Sequence, residues 1–417
     1  MKLLIKNARL EIGYDYLGDS VVGTKTAIKD VLIERGIFVE ITDQLEVADI
    51  DTIDAKGQLL LPSLREMHVH LDKTFFGGDW SAPTMPVNGI FTRISEENDM
   101  LPDLFATAEE RTRYMIEHYI ANGHTHIRTH VNVDPTMKTS HVEKTKRILD
   151  EYQDKITYEI VAFPQHGLLR NGEEFLSVFE ESLKMGVTHI GGVDPATIDH
   201  NINGVLEQTF DWAEKYGLAI DIHLHDGDTL GAFEIHRIID QIEERNFLGK
   251  VTISHAFALA GISRVELADL VSRMAKNNVD VTSSIAIGAS AAITLPIRYL
   301  YETGVPVSLG HDSLIDHWSP FGTGDTIQKL NMTAKRFNWI DEWHLGQSLK
   351  FATGGITPLN EEGQQVWPKI NDAANLILVD AVSSAHLIAR QCPISTVLSK
   401  GAIIYQDNFE LRGGYRG

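Results

Sequence analysis

Eight short apolar runs, most followed by a segment of helical character, occupy the middle of this chain and leave few folds open to it. The runs are Gln58–Leu61, Thr125–Val133, Thr157–Phe163, His189–Val193, Leu218–His223, Val251–His255, Val279–Ser283 and Val305–Leu309. Between them, Glu173–Met185 sets Phe175, Leu176, Phe179 and Leu183 at helical spacing, and Val205–Lys215 and Val265–Lys276 behave similarly. Eight β runs alternating with helices predict an α/β fold, a (β/α)8 TIM-like barrel, in preference to a doubly wound open sheet.

The two ends of the chain read differently. Leu3–Ile5, Val31–Glu34 and Phe38–Ile41 are short strands broken by turns, and Ala374–Val379, Ser395–Leu398 and Ala402–Tyr405 return to that style. We expect one small β-sandwich module built from residues 1–57 and 359–417, flanking a barrel over 58–358, with Leu411–Gly417 as a loose tail. The 417 residues, 43% of them hydrophobic, suffice for one large barrel and an accessory module.

Composition excludes several roles. A formal net charge of −21 repels nucleic acid and anionic membranes. No uncharged apolar stretch reaches the roughly 18 residues of a membrane span. The first apolar run, Leu3-Leu4-Ile5, ends after three residues, unlike a signal peptide. Cys392 is the single cysteine, so no intramolecular disulfide forms, which suits a reducing compartment; a cytoplasmic location is expected.

Parallel barrels carry their active sites at the C-terminal ends of the strands, and polar residues collect there. His68 and His70, then Asp72 and Lys73, follow the first run; His130 ends the second; Gln165 and His166 follow the third; Asp194 follows the fourth. His223 ends the fifth, with His225, Asp226 and Asp228 beyond it; His255 ends the sixth; His311 and Asp312 follow the eighth. Residues i and i+2 of a strand point the same way, so His68 and His70 can share one ion. With His223 and Asp312 they offer three imidazoles and a carboxylate, a set suited to one divalent zinc or iron per chain that lowers the pKa of a bound water. Asp226 is the expected proton shuttle and His255 the group that polarises the substrate or stabilises developing charge. Lys73 is expected in the site. His130 reads equally as core or functional residue, Asp194 as turn or site residue before Pro195, and His166 and His225 as loop residues behind the site. Trp318, in Asp316–Pro320, reads as an aromatic wall of the pocket.

The ordered motifs His68-Val-His70-Leu-Asp72-Lys73, Arg128-Thr-His130-Val, Val161-Ala-Phe-Pro-Gln165, Ile220-Asp-Ile-His223, Ser254-His255 and Gly310-His-Asp312 resemble the amidohydrolase superfamily, in its cytosine-deaminase-like branch. The resemblance spans the barrel. It implies a metal on His68, His70, His223 and Asp312, a substrate contact from Gln165, a catalytic part for His255 and a ring pocket lined by Trp318. The activity implied is hydrolysis of a non-peptide C–N bond in a small nitrogen heterocycle, with release of ammonia. Two departures stand out: Asp226 occupies the place of the branch's glutamate shuttle, and Ser313 that of a second aspartate. Gly191-Gly-Val-Asp194-Pro-Ala196 is similar instead to the triazine-degrading isopropylaminohydrolases of the same branch. That likeness implies catalytic or substrate-binding roles for Lys73 and Asp194 and release of an alkylamine. The resemblance also implies a homo-oligomer. A cyclic-amide hydrolase with a carbamylated lysine is the weaker rival, because the fourth run ends in Gly-Gly-Val-Asp194 without a lysine, and a non-catalytic barrel would have lost ligands present here.

Overall fold

A computed structural model describes residues 2–286 and 293–407; the expected tail Leu411–Gly417 lies outside the described residues. Two eight-stranded sheets organise the chain. The terminal sheet contains β1 (Lys2–Leu17), β2 (Ser20–Glu34), β3 (Ile37–Thr42), β4 (Asp51–Asp54) and β5 (Leu59–Pro62), together with β14 (Leu376–Val379), β15 (Ile394–Ser399) and β16 (Ala402–Gln406). Its order is β16-β15-β14-β5-β1-β2-β3, with β4 paired to β1. Both ends of the chain therefore meet in one module, whose core includes Leu3, Ile5, Phe38, Trp367, Leu376 and Leu398.

The second sheet contains β6 (Leu64–Val69), β7 (His124–Asn132), β8 (Thr157–Phe163), β9 (His189–Val193), β10 (Ala219–His223), β11 (Val251–Ser254), β12 (Val279–Ser283) and β13 (Val307–Leu309). Neighbours pair in chain order, and the pairs are parallel. β13 returns to β6 through a parallel bridge between Asp312 and Val69, which makes the sheet a nearly closed barrel. Helices fill the crossovers. Ile202–Tyr216 starts on an Asn201 side chain that accepts the Gly204 N–H and stops at Gly217 in the left-handed region; Arg264–Lys276 starts on Ser263. Among the described residues no helix is long and apolar enough to cross a membrane.

One expected strand is reassigned. The run Gln58–Leu61 is not the first barrel strand: Leu59–Pro62 pairs antiparallel with β14 in the terminal sheet, and the barrel begins at Leu64. The reason lies in the alternation of faces. Leu59 and Leu61 pack into the barrel core while Leu60 packs into the terminal core. A strand buried on both sides shows no period by which a sequence could assign it to either sheet.

Candidate active site

Three strand ends bring His68, His70, His223 and Asp312 together. His68 lies on β6, His70 directly after it, His223 ends β10, and Asp312 follows β13. The backbone holds the seam tightly: Asp312 N–H donates to His68 O at 2.6 Å and His70 N–H to Asp312 O at 3.3 Å. A Cβ at Gly310 would lie 2.5 Å from the His68 Cβ, so only glycine fits there.

The donor atoms are spaced for one ion. His68 Nε2 and His70 Nε2 each lie 3.3 Å from Asp312 Oδ1, and His223 Nε2 lies 3.4 Å from His70 Nε2. A tetrahedron with bonds of 2.0–2.1 Å has edges of about 3.3–3.4 Å. The tautomer of His68 follows from its neighbours. Ser254 Oγ lies 2.7 Å from Asp221 Oδ1 and 2.8 Å from His68 Nδ1. A carboxylate only accepts, so the single hydroxyl proton goes to Asp221 and Nδ1–H of His68 donates to Ser254. His68 Nε2 is left as a lone pair, and this buried atom has no hydrogen-bond partner. Burial pushes the imidazoles of His70 and His223 below their ordinary value, with neighbouring cations and imidazoles adding to the effect. Neutral imidazoles, a carboxylate and an orphaned buried nitrogen fit a divalent ion such as zinc or iron.

A cavity of about 30 Å³ opens on this cluster, lined by His70, His223 and Asp312 and by Gln165, His225, Ser313 and Trp318. A far larger cavity, about 600 Å³, is lined by Ser63, Arg65, His126 and Gly354 at the opposite end of the barrel, away from these groups. The small cavity is where the chemistry converges. Asp312 (φ 63°) and His255 (φ 69°) adopt left-handed backbone conformations at its edge; such positions cost about 1–3 kcal/mol each and cluster at active sites.

Of the residues expected to surround the metal, Gln165 and Trp318 line the cavity and several others do not. Asp226 does not face it: its carboxylate accepts from Thr197, with Oγ1 at 2.5 Å and N at 3.3 Å. The cause is Asp194, whose carboxylate faces the loop after β10 and is absent from the cavity lining. Its oxygens accept the His225 N–H at 2.6 Å, the Asp226 N–H at 3.0 Å and His225 Nδ1 at 2.8 Å, folding the post-β10 loop so that His225 enters the cavity wall. His225 was expected behind the site. His130 is fully buried beneath the cluster, its ring 4.0 Å from that of His68 and 4.5 Å from that of His223, and is absent from the cavity lining. His255 stacks on His225 at 4.4 Å and holds Nε2 3.9 Å from Asp312 Oδ2. Lys73 points to Glu97 Oε1 and Gln165 Oε1, each at 2.9 Å, rather than into the cavity.

Glu97 was missed by the sequence reading. It lies on the helix Gly89–Phe105, is fully buried, accepts from Lys73, Asn132 and His166, and has His317 Nε2 3.1 Å from Oε1. Burial alone would raise its carboxyl; the Lys73 charge and the histidine donors outweigh burial and hold it well below the usual range. Its neighbour Glu96 is partly exposed and pairs with Arg93, so an acidic pair in sequence resolves into one surface and one interior residue.

Known proteins share this arrangement of chain. A family model described as the amidohydrolase family matches residues 178–405. The uncharacterized protein YahJ of Escherichia coli (strain K12) is 37% identical over 405 residues, covering 96% of this chain and 87% of that protein. N-isopropylammelide isopropyl amidohydrolase of Pseudomonas sp. (strain ADP) is 31% identical over 416 residues, covering 97% of each. Among solved structures, N-isopropylammelide isopropylaminohydrolase from Burkholderia multivorans ATCC 17616 superimposes with a TM-score of 0.84 at 25% identity, covering 97% of this chain and 98% of that one. A 5-methylcytosine deaminase from Klebsiella pneumoniae gives 0.77 at 23% identity over 99% of this chain and 100% of that one, a likeness of fold.

Proposed function

The chain belongs to the amidohydrolase family, and from that premise we propose that it hydrolyses the bond between an amine substituent and an sp² carbon of a small nitrogen heterocycle. The observation that carries this reading is the opening of the four-donor cluster onto the same cavity as Gln165 and Trp318. A planar ring needs an aromatic face and an amide edge, and both stand against the metal-ligating wall. One divalent ion, zinc or iron, would be held by His68, His70, His223 and Asp312 and would supply Lewis-acid activation of water.

The chain's own residues supply the rest. Trp318 packs on the ring and Gln165 meets its edge. His255, beside Asp312, lies where charge develops on the ring. His225, its Nδ1 tied to Asp194, presents Nε2 as the ring nitrogen that passes a proton to the departing amine. It takes the part first given to Asp226.

Two observations favour an alkylamine over ammonia as the leaving group. The relative that is 31% identical over 97% of the chain is named for isopropylammelide. Asp226, at the place of the cytosine-deaminase glutamate, is turned onto Thr197. The partner is a small molecule and not nucleic acid or a membrane, which a charge of −21 repels; a cytoplasmic homo-oligomer completes the proposal.

The test is amine release from a panel of aminopyrimidines and amino-triazines, free and N-alkylated, by protein of measured metal content. Alkylamine release from N-alkylated rings is expected. Ammonia release from cytosine alone would return the ring to the deaminase class. No amine release by protein carrying one metal per chain would overturn the substrate class.

A further inference from the structure

We infer that Glu97 is a positioning residue that fixes, through Lys73, which end of the Gln165 amide faces the cavity, and so restricts the site to rings that present a hydrogen-bond acceptor there. The inference rests on the proposed function for the identity of the ligand as a heterocycle. Glu97 is fully buried: Oε1 accepts from Lys73 Nζ at 2.9 Å with His317 Nε2 3.1 Å away, and Oε2 accepts from Asn132 Nδ2 and pairs with His166 Nε2, both at 3.1 Å. These groups come from the loop after β6, from β7, and from the loops after β8 and β13. One carboxylate on a helix outside the barrel thus ties four strand ends together and pins the Lys73 ammonium, itself 1% exposed.

Lys73 then sets Gln165. An ammonium has three donors and no lone pair. The Gln165 atom 2.9 Å from Nζ is therefore the oxygen, and the two ends of the amide are distinguished by chemistry. Nε2 remains as the donor on the side where Gln165 lines the cavity. A ring carbonyl oxygen or an unprotonated ring nitrogen pairs with it. A ring N–H or amino group meets it donor to donor, and an unpaired buried polar group lowers affinity by about 5- to 150-fold.

The experiment uses pairs of rings that carry the same leaving amine and differ only in an oxo or amino group flanking the reacting carbon. Each pair is compared by kcat/KM, and by ligand-induced thermal shift so that the preference is read without turnover. Wild type is expected to favour the oxo member by at least about tenfold. Lys73→Met releases the amide to rotate and should bring the ratio close to one with metal content unchanged. Gln165→Glu pairs one oxygen with Lys73 and presents the other to the cavity, which should invert the ratio. Glu97→Gln should reduce it as Lys73→Met does. A wild-type ratio near one, or folded Lys73→Met and Gln165→Glu proteins that keep the wild-type ratio, would overturn the inference. Absence of amine release with the binding preference intact would instead count against the hydrolase reading alone.

Discussion

Ser254 Oγ accepts the Nδ1–H of His68 at 2.8 Å and donates its own proton to Asp221 Oδ1 at 2.7 Å. The other Asp221 oxygen accepts from Arg128 Nη1 at 2.9 Å, which fixes the carboxylate as the acceptor of this chain. The relay aims His68 at the other ligands. Ser254→Ala should leave the fold intact and weaken metal binding about 10- to 100-fold, the usual effect of removing a partner that orients a ligand. Chelator competition measures this, and an unchanged dissociation constant would disprove it. His68→Ala should abolish both binding and turnover. The four ligands were readable because they fall at the C-terminal ends of barrel strands, two of them separated by one residue at the same strand end. Glu97 was not readable: Glu96-Glu97 looks like any solvated acidic pair on a helix, and only the packing of Gly89–Phe105 over the barrel mouth turns one of them inward. Asp226 misled because spacing after β10 cannot show that Asp194, remote in sequence, captures the N–H groups of His225 and Asp226.

At the level of elements, the helix Asp228–Arg245 reaches across to the loop after β9 through Glu234, whose Oε1 accepts the Ala196 N–H at 2.7 Å. Burial, with Asp226 and Asp194 nearby, pushes the Glu234 carboxyl up to about 9 from an ordinary 4.5. The folded state therefore keeps a proton that the unfolded chain releases above 4.5. Stability from this group is fully present below the unfolded value and falls as pH rises towards the folded one. Glu234→Gln keeps an acceptor for Ala196 and removes the titration. Its melting temperature relative to wild type should rise between pH 5 and pH 9, and a difference independent of pH would refute the assignment. Helices of this kind were located from their spacing to within a few residues, as in Arg264–Lys276 against an expected Val265–Lys276. Their interior carboxylates were invisible, because burial depends on the neighbour across the groove.

For the whole molecule, the reassigned strand β5 matters most. Leu59 and Leu61 belong to the barrel core and Leu60, between them, to the terminal core, all within 1% exposure. β5 pairs with β14 along its length and touches β1, so the halves of the terminal module contributed by the two ends of the chain meet on it. A module that shares a strand with the barrel cannot melt without removing Leu59 and Leu61 from the barrel as well. We therefore expect one cooperative unfolding transition. Leu60→Ala and Leu61→Ala open cavities in different cores, each worth about 2–5 kcal/mol, and both should lower that same transition. Calorimetry distinguishes the alternatives. If Leu60→Ala splits off an early transition while the barrel melts at its wild-type temperature, the two modules are independent and the shared strand does not couple them.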